Sequence, residues 1–514
     1  MLDAGASAST SPVYERAPDL DPGWQAVETQ PANGGYAQLN QLIPAAAAPQ
    51  GSRRGSQKKN LARVPASFVQ RQEKVKISKR NGPLDEITRQ KTHRMRKKKN
   101  GCLRCRFFKV GCDDGEVCQR CLKVEGNARS FKQPCTRDRL EDAYLVRHCN
   151  GRSVQEEGEF LGYDWVPNSG LYDMEVMWNL PGYGPIRMAR PFTVKGRQYY
   201  PKRSFLDTAT SIWSNENGEL RAVKQPPYAI YDSASLILGL ERYYSLYQDE
   251  IEGWIFNRVR HDEVAWLTYH EVVRMRNKTP RGPRNLLDLA LRLQCLSIVS
   301  QGYGTVCSEN VPGIQEYDFG KMGRSSYEAY DRNSRDRPLP GQMSQQMDVA
   351  ILKSLKKLEK LCAKELGSRI FQSKIKPWYE LLLALFVLFW NLEYISRGAE
   401  KYILAKNGTD LEGQVGNVVR NQLKKWDWAF RVLLQHWAAV MRDFDPLKLA
   451  RENPEELRIN GHVDAEGFQF LMKLAKVLEH GRPEQYPNPY VGAPSTYSSL
   501  TSEWIRALFK EAGA

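Results

Sequence analysis

Six of the ten cysteines of this chain stand within 34 residues: Cys102, Cys105, Cys112, Cys118, Cys121 and Cys135. The intervening gaps are two, six, five, two and thirteen residues, so each half reads C-x-x-C followed by a lone cysteine and the block is a pseudo-repeat. In C-x-x-C the first turn of a helix brings both thiolates to one side, where they can reach one metal ion. Six ligands cannot fill two separate tetrahedral sites, which need eight. If both sites are closed, two sulfurs are shared, and the pseudo-symmetry points to the equivalent Cys102 and Cys118. A metal held wholly by sulfur keeps no position for water, so the chemistry expected is structural and not catalytic.

A basic run stands directly before the cysteines. Between Gly51 and Gly111 there are twenty Lys and Arg against Glu73, Asp85 and Glu86. This window carries +17 of a net charge of +16, and the remainder is close to neutral. Charge this concentrated suits a polyanion. The ramp ends at Arg94, Arg96, Lys97, Lys98 and Lys99, a nuclear-import candidate and a phosphate-contact arm.

The block, with CLRCRFFKVGC as its first half, resembles the fungal-type binuclear zinc cluster, Zn(2)-C(6), of sequence-specific transcription regulators, over about Asn100 to Cys135. The resemblance implies two zinc ions per chain. Cys102, Cys105, Cys112 and Cys118 would hold one, and Cys118, Cys121, Cys135 and Cys102 the other. It also implies a short helix after Cys105 that enters the major groove of double-stranded DNA at CGG-like triplets, with Arg104, Arg106 and Lys109 among the DNA contacts. The chain departs from the family in three places. The last gap of thirteen exceeds the usual six to nine or so, the loop from Cys112 to Cys118 has Gly115 in place of a proline, and Phe108 stands where a second lysine commonly faces the bases. Growth of the last loop costs only about 0.5 kcal/mol, so the sixth ligand survives it.

The function expected is zinc-dependent, sequence-specific regulation of RNA polymerase II transcription in the nucleus, with DNA and the transcription machinery as partners. The alternative is a nuclear adaptor whose zinc cluster binds protein, with Phe107 and Phe108 in the binding face. An enzyme is not expected. His270 and Glu271 begin an H-E-x-x pattern, but Arg274 stands where a zinc protease needs its second histidine. No phosphate-binding Gly-Lys loop occurs. Cys149, Cys295, Cys307 and Cys362 have no partner at metal spacing and read as core or free thiols.

The elements that must present this block divide the chain into four. Residues 1–92, rich in Ala, Ser, Gly, Pro and Gln, read as a disordered tail with the basic ramp, and Leu20, Asp21 and Trp24 as a weak recruitment motif at most. The zinc-stabilised DNA-binding module spans 93–140. Residues 141–232 mix Pro, Gly, Tyr and Trp without a helical period and read as a loop-rich connector with a short strand or two. From 233 to 514 apolar residues recur three and four apart, as in NLLDLALRLQCLSIV and WYELLLALFVLFWNLEYI, which predicts a mainly α-helical regulatory domain. Eleven of the twelve tryptophans lie at Trp165 or later, so the large core belongs there.

The N-terminus lacks a signal-peptide pattern, and the longest apolar run, Leu381 to Trp390, is about half a membrane span, so no membrane partner is expected. The heptad fragment Ile351, Leu355, Leu358 and Cys362 is too short for a free coiled coil and reads as a packed helix. A homodimer through the helical domain and a monomer both remain open.

Overall fold

The computed structural model describes parts of 85–94, then 101–124, 135–149, 162–201 and 210–480 with short interruptions, and 502–514. The expected tail 1–92 and the recruitment motif lie outside the described residues except around 85–90, as do Arg96, Lys97, Lys98 and Lys99. Every element below belongs to the compact unit Val64–Ala514.

Each C-x-x-C opens a short helix, α1 (Leu103–Phe107) and α2 (Gln119–Leu122), and the leading cysteine of each pair is the N-cap. After the sixth cysteine the chain makes a turn of 3-10 helix at Leu140–Asp142 and runs on as an extended strap to Cys149. Leu140, Leu145 and Val146 on the strap are buried in the main core.

The interval 141–232 is richer in strand than expected. It carries β1 (Tyr172–Leu180), β2 (Gly184–Pro185), β3 (Phe192–Gln198), β4 (Thr210–Ser214), β5 (Leu220–Lys224) and β6 (Tyr228–Ile230). In β1 the alternate residues Met174, Val176, Trp178 and Leu180 are buried while Glu175 is exposed, the period of a half-buried strand. That alternation is hidden in the sequence by the Gly- and Pro-rich turns on either side.

The helical body follows: α3 (Ser233–Leu246), α4 (Gln248–Val259), α5 (Glu263–Arg276) and α6 (Leu286–Val299). After α6 the chain returns to the sheet as β7 (Tyr303–Val306), which pairs antiparallel with β1 through Val176↔Val306 to Asn179↔Tyr303. β1 also pairs with β2 and β3, and β3 with β6, all antiparallel. β4 and β5 form a separate hairpin, and β8 (Tyr317–Asp318) pairs with β9 (Arg335–Asp336). Strands therefore occur on both sides of residue 232, and the sheet is shared between the expected connector and the expected helical domain.

Three long helices complete the body, α7 (Gly341–Ile370), α8 (Trp378–Ala405) and α9 (Glu412–Met441), followed by α10 (Pro446–Glu452), α11 (Pro454–Asn460), α12 (Ala465–His480) and α13 (Glu503–Glu511). α8 is long and apolar enough to cross a membrane, yet most of its apolar stretch is buried inside the protein. Leu381 to Trp390 are all at most 3% exposed, because α6, α9 and α13 pack around them. Ile351, Leu355, Leu358 and Cys362 are buried along α7, as a packed helix requires. Glu271, the acid of the H-E-x-x pattern, is held by Arg274 and the Tyr379 hydroxyl, and Arg274 also binds Asp464 and Glu466, so this motif is an ion-pair cluster between helices.

Candidate metal centre

The N-cap position explains why the two C-x-x-C motifs converge. Cys102 Sγ accepts the N–H of Cys105 at 3.4 Å, which turns its sulfur back over the first turn of α1 beside the Cys105 sulfur. α2 places Cys118 and Cys121 at the same helix positions, but there the Cys121 N–H donates to the Cys118 carbonyl at 2.8 Å and no side-chain cap bond forms. The four sulfurs lie within 4.8 Å of one another and are buried. Cys102–Cys118 is 3.9 Å, Cys102–Cys121 3.7 Å and Cys105–Cys118 3.7 Å. A tetrahedral thiolate site with metal–sulfur bonds of about 2.3 Å has sulfur–sulfur edges of about 3.8 Å. The four-cysteine group therefore fits a metal ion.

The remaining two cysteines of the block stand against this group. Cys135 Sγ accepts the Cys118 N–H at 3.1 Å, and Cys112 and Cys135 both pack on the four buried sulfurs. The loop between Cys112 and Cys118 needs no proline, because Asp113 organises it. Its carboxylate takes the N–H of Gly115 at 3.2 Å and of Gln119 at 2.9 Å, while Arg137 donates to the Asp113 carbonyl at 3.0 Å. The Leu103 N–H donates to the Thr136 carbonyl at 2.8 Å, tying α1 to the chain beyond the sixth cysteine.

The thiol electrostatics are those of a nest that wants a cation. Burial pushes Cys102 far up, Cys105 up to about 12 and Cys121 up to about 11. Burial also raises Cys118, but the Cys121 N–H and the neighbouring thiols outweigh it and hold it at about 6. Several adjacent buried thiols ionise together only when a metal ion compensates their charge.

The sequence-predicted basic residues are placed unequally. Arg94 and Lys109 are exposed, and Lys109 sits in a left-handed turn with φ of 54° just past α1. Arg104 reaches across to the Arg120 carbonyl at 3.3 Å, with its guanidinium 5.5 Å from the Phe108 ring. Arg106 is half-buried, and its guanidinium lies 4.3 Å over the ring of Phe371, at the C-terminal end of α7.

Phe107 and Phe108 are packed on the helical body. Phe107 is 8% exposed and joins the main core. Lys376 Nζ lies 4.3 Å from its ring, and Arg442 stands 5.0 Å from it and 4.3 Å from Phe108. Burial, together with Arg442 and Lys109, lowers the Lys376 ammonium to about 8. The tip of α1, which the resemblance points at base edges, is thus packed against the protein's own body. Phe371, Lys376 and Arg442 carried no sequence signal of this role; the pair Phe107–Phe108 in a basic segment was the one local cue.

The strap fastens the module more firmly still. Leu145 N–H donates to Glu359 at 2.5 Å and its carbonyl accepts from Asn391 at 2.9 Å. The Val146 carbonyl accepts the Trp426 indole N–H at 3.0 Å. Arg147 forms two charge-assisted bonds to Asp348 and donates to the Ser300 carbonyl at 2.7 Å. Cys149, Cys295 and Cys362 are buried and Cys307 is exposed, and none of the four is in a disulfide.

Residues 182–453 match the model of a family described as KpeA transcription factor. The chain is 22% identical over 413 residues to the satratoxin biosynthesis SC3 cluster transcription factor SAT20 of Stachybotrys chartarum, which covers 78% of this chain and 54% of that protein. It is 34% identical over 113 residues to the transcription factor kpeA of Aspergillus oryzae, covering 22% of this chain and 14% of that protein. The chain thus spans about half the length of the first of these relatives, and less of the second. No solved structure matches it. Both relatives are transcription factors, not enzymes. The family match begins after the cysteine block, takes in most of the sheet and runs on to α10, more than half of the sequence, and on that match the chain belongs to the KpeA transcription factor family.

Proposed function

We propose that this transcription regulator is a zinc-dependent, sequence-specific DNA-binding protein of the nucleus. The observation that carries the reading is the convergence of the six sulfurs of a pseudo-repeat, with Cys102 and Cys118 as matching N-caps, at the end of a basic arm. Cys102, Cys105, Cys112 and Cys118 would hold one zinc and Cys118, Cys121, Cys135 and Cys102 the second, which uses six cysteines for two tetrahedra. Zinc so held supplies folding energy to a segment with little apolar core of its own. Arg94, Arg96, Lys97, Lys98 and Lys99 would neutralise phosphates, Arg104 would add to them, and the exposed Lys109 would meet guanine O6 and N7 at CGG-like sites. Arg106, stacked on Phe371, would act on DNA only after it leaves that ring.

A specific observation favours a second reading, the adaptor. Phe107 and Phe108 sit under Lys376 and Arg442, which is how a protein-binding face would look when it binds its own chain. The experiment uses the full chain. Elemental analysis should give about two zincs per chain; one would sink the bridged pair. Fluorescence anisotropy at physiological salt should show tighter binding to a CGG-containing duplex than to a scrambled one, and equal binding would favour the adaptor.

A further inference from the structure

A cavity of about 670 Å³ opens between the β4–β5 hairpin, the C-terminal half of α8 and the first turns of α7 and α9. Its size is that of sites for drug-sized molecules. Two features of its lining point to an occupant. The first is unmet hydrogen bonding. Gln225, just past β5, and Gln345, in the first turns of α7, are 5% and 6% exposed, and among the described residues neither end of either carboxamide has a hydrogen-bond partner. The indole N–H of the buried Trp213 lacks one as well. Buried polar groups are almost always paired, so three such groups among the residues lining one hollow need an explanation; the polar atoms are themselves covered, so an occupant meets them as the side chains turn into the cavity.

The second feature is the shape and charge of the wall. Trp213 stacks on Tyr330, with centroids 5.1 Å apart and planes at 19°, and on Phe319 at 6.3 Å and 14°, and Tyr402 lies beside them, a wall of near-parallel rings along which a flat ring system fits. The cations at the rim are already engaged: Arg147 with Asp348, Arg332 with Asp336, and Lys406 with the Ile212 carbonyl at 2.6 Å. Asp410 also lines the cavity but is exposed to solvent, and the buried groups without partners are neutral, so the inner wall does not call for a charged ligand.

We propose that this cavity is a receptor site for an uncharged, planar, oxygen-bearing aromatic or polycyclic molecule. Its hydroxyl groups donate to the Gln225 and Gln345 carboxamide oxygens, and its carbonyls accept from their N–H groups and from the Trp213 indole. Arg147 and Cys149 of the strap form part of the same wall, so a bound molecule rests against the segment that leaves the cysteine cluster. The proposal does not depend on whether the cluster reads DNA.

The test uses the full chain and 3-hydroxyflavone, a flat probe whose emission reports hydrogen bonding to its carbonyl and hydroxyl. The expected result is saturable binding of one probe per chain, with the emission of the hydrogen-bonded form. Gln225→Leu and Gln345→Leu should each weaken it by about tenfold, the loss of one hydrogen bond to a ligand. The melting temperature of the unliganded protein should hold or rise in both variants, because each removes an unpaired carboxamide. Absence of saturable binding, binding undiminished in both variants, or a lower melting temperature in both would overturn the proposal; the last would show that the two glutamines hold the fold.

Discussion

Acid should loosen the contact between the cysteine module and the helical body through His436. This residue is fully buried on α9, beside Phe371, whose ring centroid lies 5.9 Å away and also carries the Arg106 guanidinium at 4.3 Å. Its Nδ1 is 2.7 Å from the Val432 carbonyl, which can only accept, so Nδ1 carries the proton and Nε2 is the free acceptor. Nε2 has no partner among the described residues. Burial lowers the imidazole from 6.5 to about 4; the Val432 hydrogen bond is the largest opposing contribution, Arg106 pushes the same way as burial, and Glu141 and Asp138 oppose it less. The folded pKa is depressed, so as pH falls the unfolded chain takes up the proton first. The stability present above pH 6.5 is then lost progressively down to about pH 4. Linkage over this interval gives about 3 kcal/mol in total and about 1.3 kcal/mol between pH 7.5 and 5.5. The variant His436→Phe keeps a ring in the site and removes the titration. Urea unfolding of both proteins at pH 7.5, 6.5 and 5.5 checks the reasoning. Acid also protonates the cluster thiols, but equally in the two proteins, so the measured quantity is the difference between their pH slopes. Parallel curves over this range would refute the assignment.

Three further outcomes follow, two from the packing around the module and one from the charge of the basic run. Phe107→Ala empties a buried site under Lys376 and Arg442 and should lower unfolding stability by about 3 kcal/mol. Metal content measured by elemental analysis should not change, because the sulfur nest packs on Val110, Cys112 and Cys135 and not on Phe107; loss of metal would contradict that separation. Asp348→Ala leaves the Arg147 guanidinium with carbonyl partners only and should cost about 3 kcal/mol in a urea melt, much of it recovered by the apolar double replacement Arg147→Met with Asp348→Leu. Replacing Lys97, Lys98 and Lys99 together by Ala should reduce the slope of log affinity against log salt by up to about 2.7 on duplex DNA, and an unchanged slope would assign this run to another task such as nuclear import.

Some of this architecture is written locally in the sequence. A C-x-x-C reads directly as an N-cap residue and first helical turn, because both lie within four residues, and the two copies supply the four sulfurs that meet. The long helices are legible for a similar reason: apolar residues three and four apart over α6 and α8 fix the element, although both are then buried on nearly every side, which only packing decides. The strands between β1 and β6 are hard to read although β1–β2, β1–β3 and β4–β5 pair locally, because Gly- and Pro-rich turns break up their short alternating patterns, and the β1–β7 pairing, some 130 residues apart, has no local pattern at all. The same limit applies at the module. That Arg106 lies on Phe371, that Phe107 sits under Lys376 and Arg442, and that Arg147 pairs with Asp348 are contacts across 200 or more residues. In the sequence Arg106 stands among the expected DNA contacts and the other side chains are ordinary charges and aromatics. The sequence by itself determined which atoms could hold metal and which segment carries the charge. Only the tertiary structure decided which face of α1 is covered, where the strap is anchored and where Gln225 and Gln345 come together, because these follow from packing of the whole core.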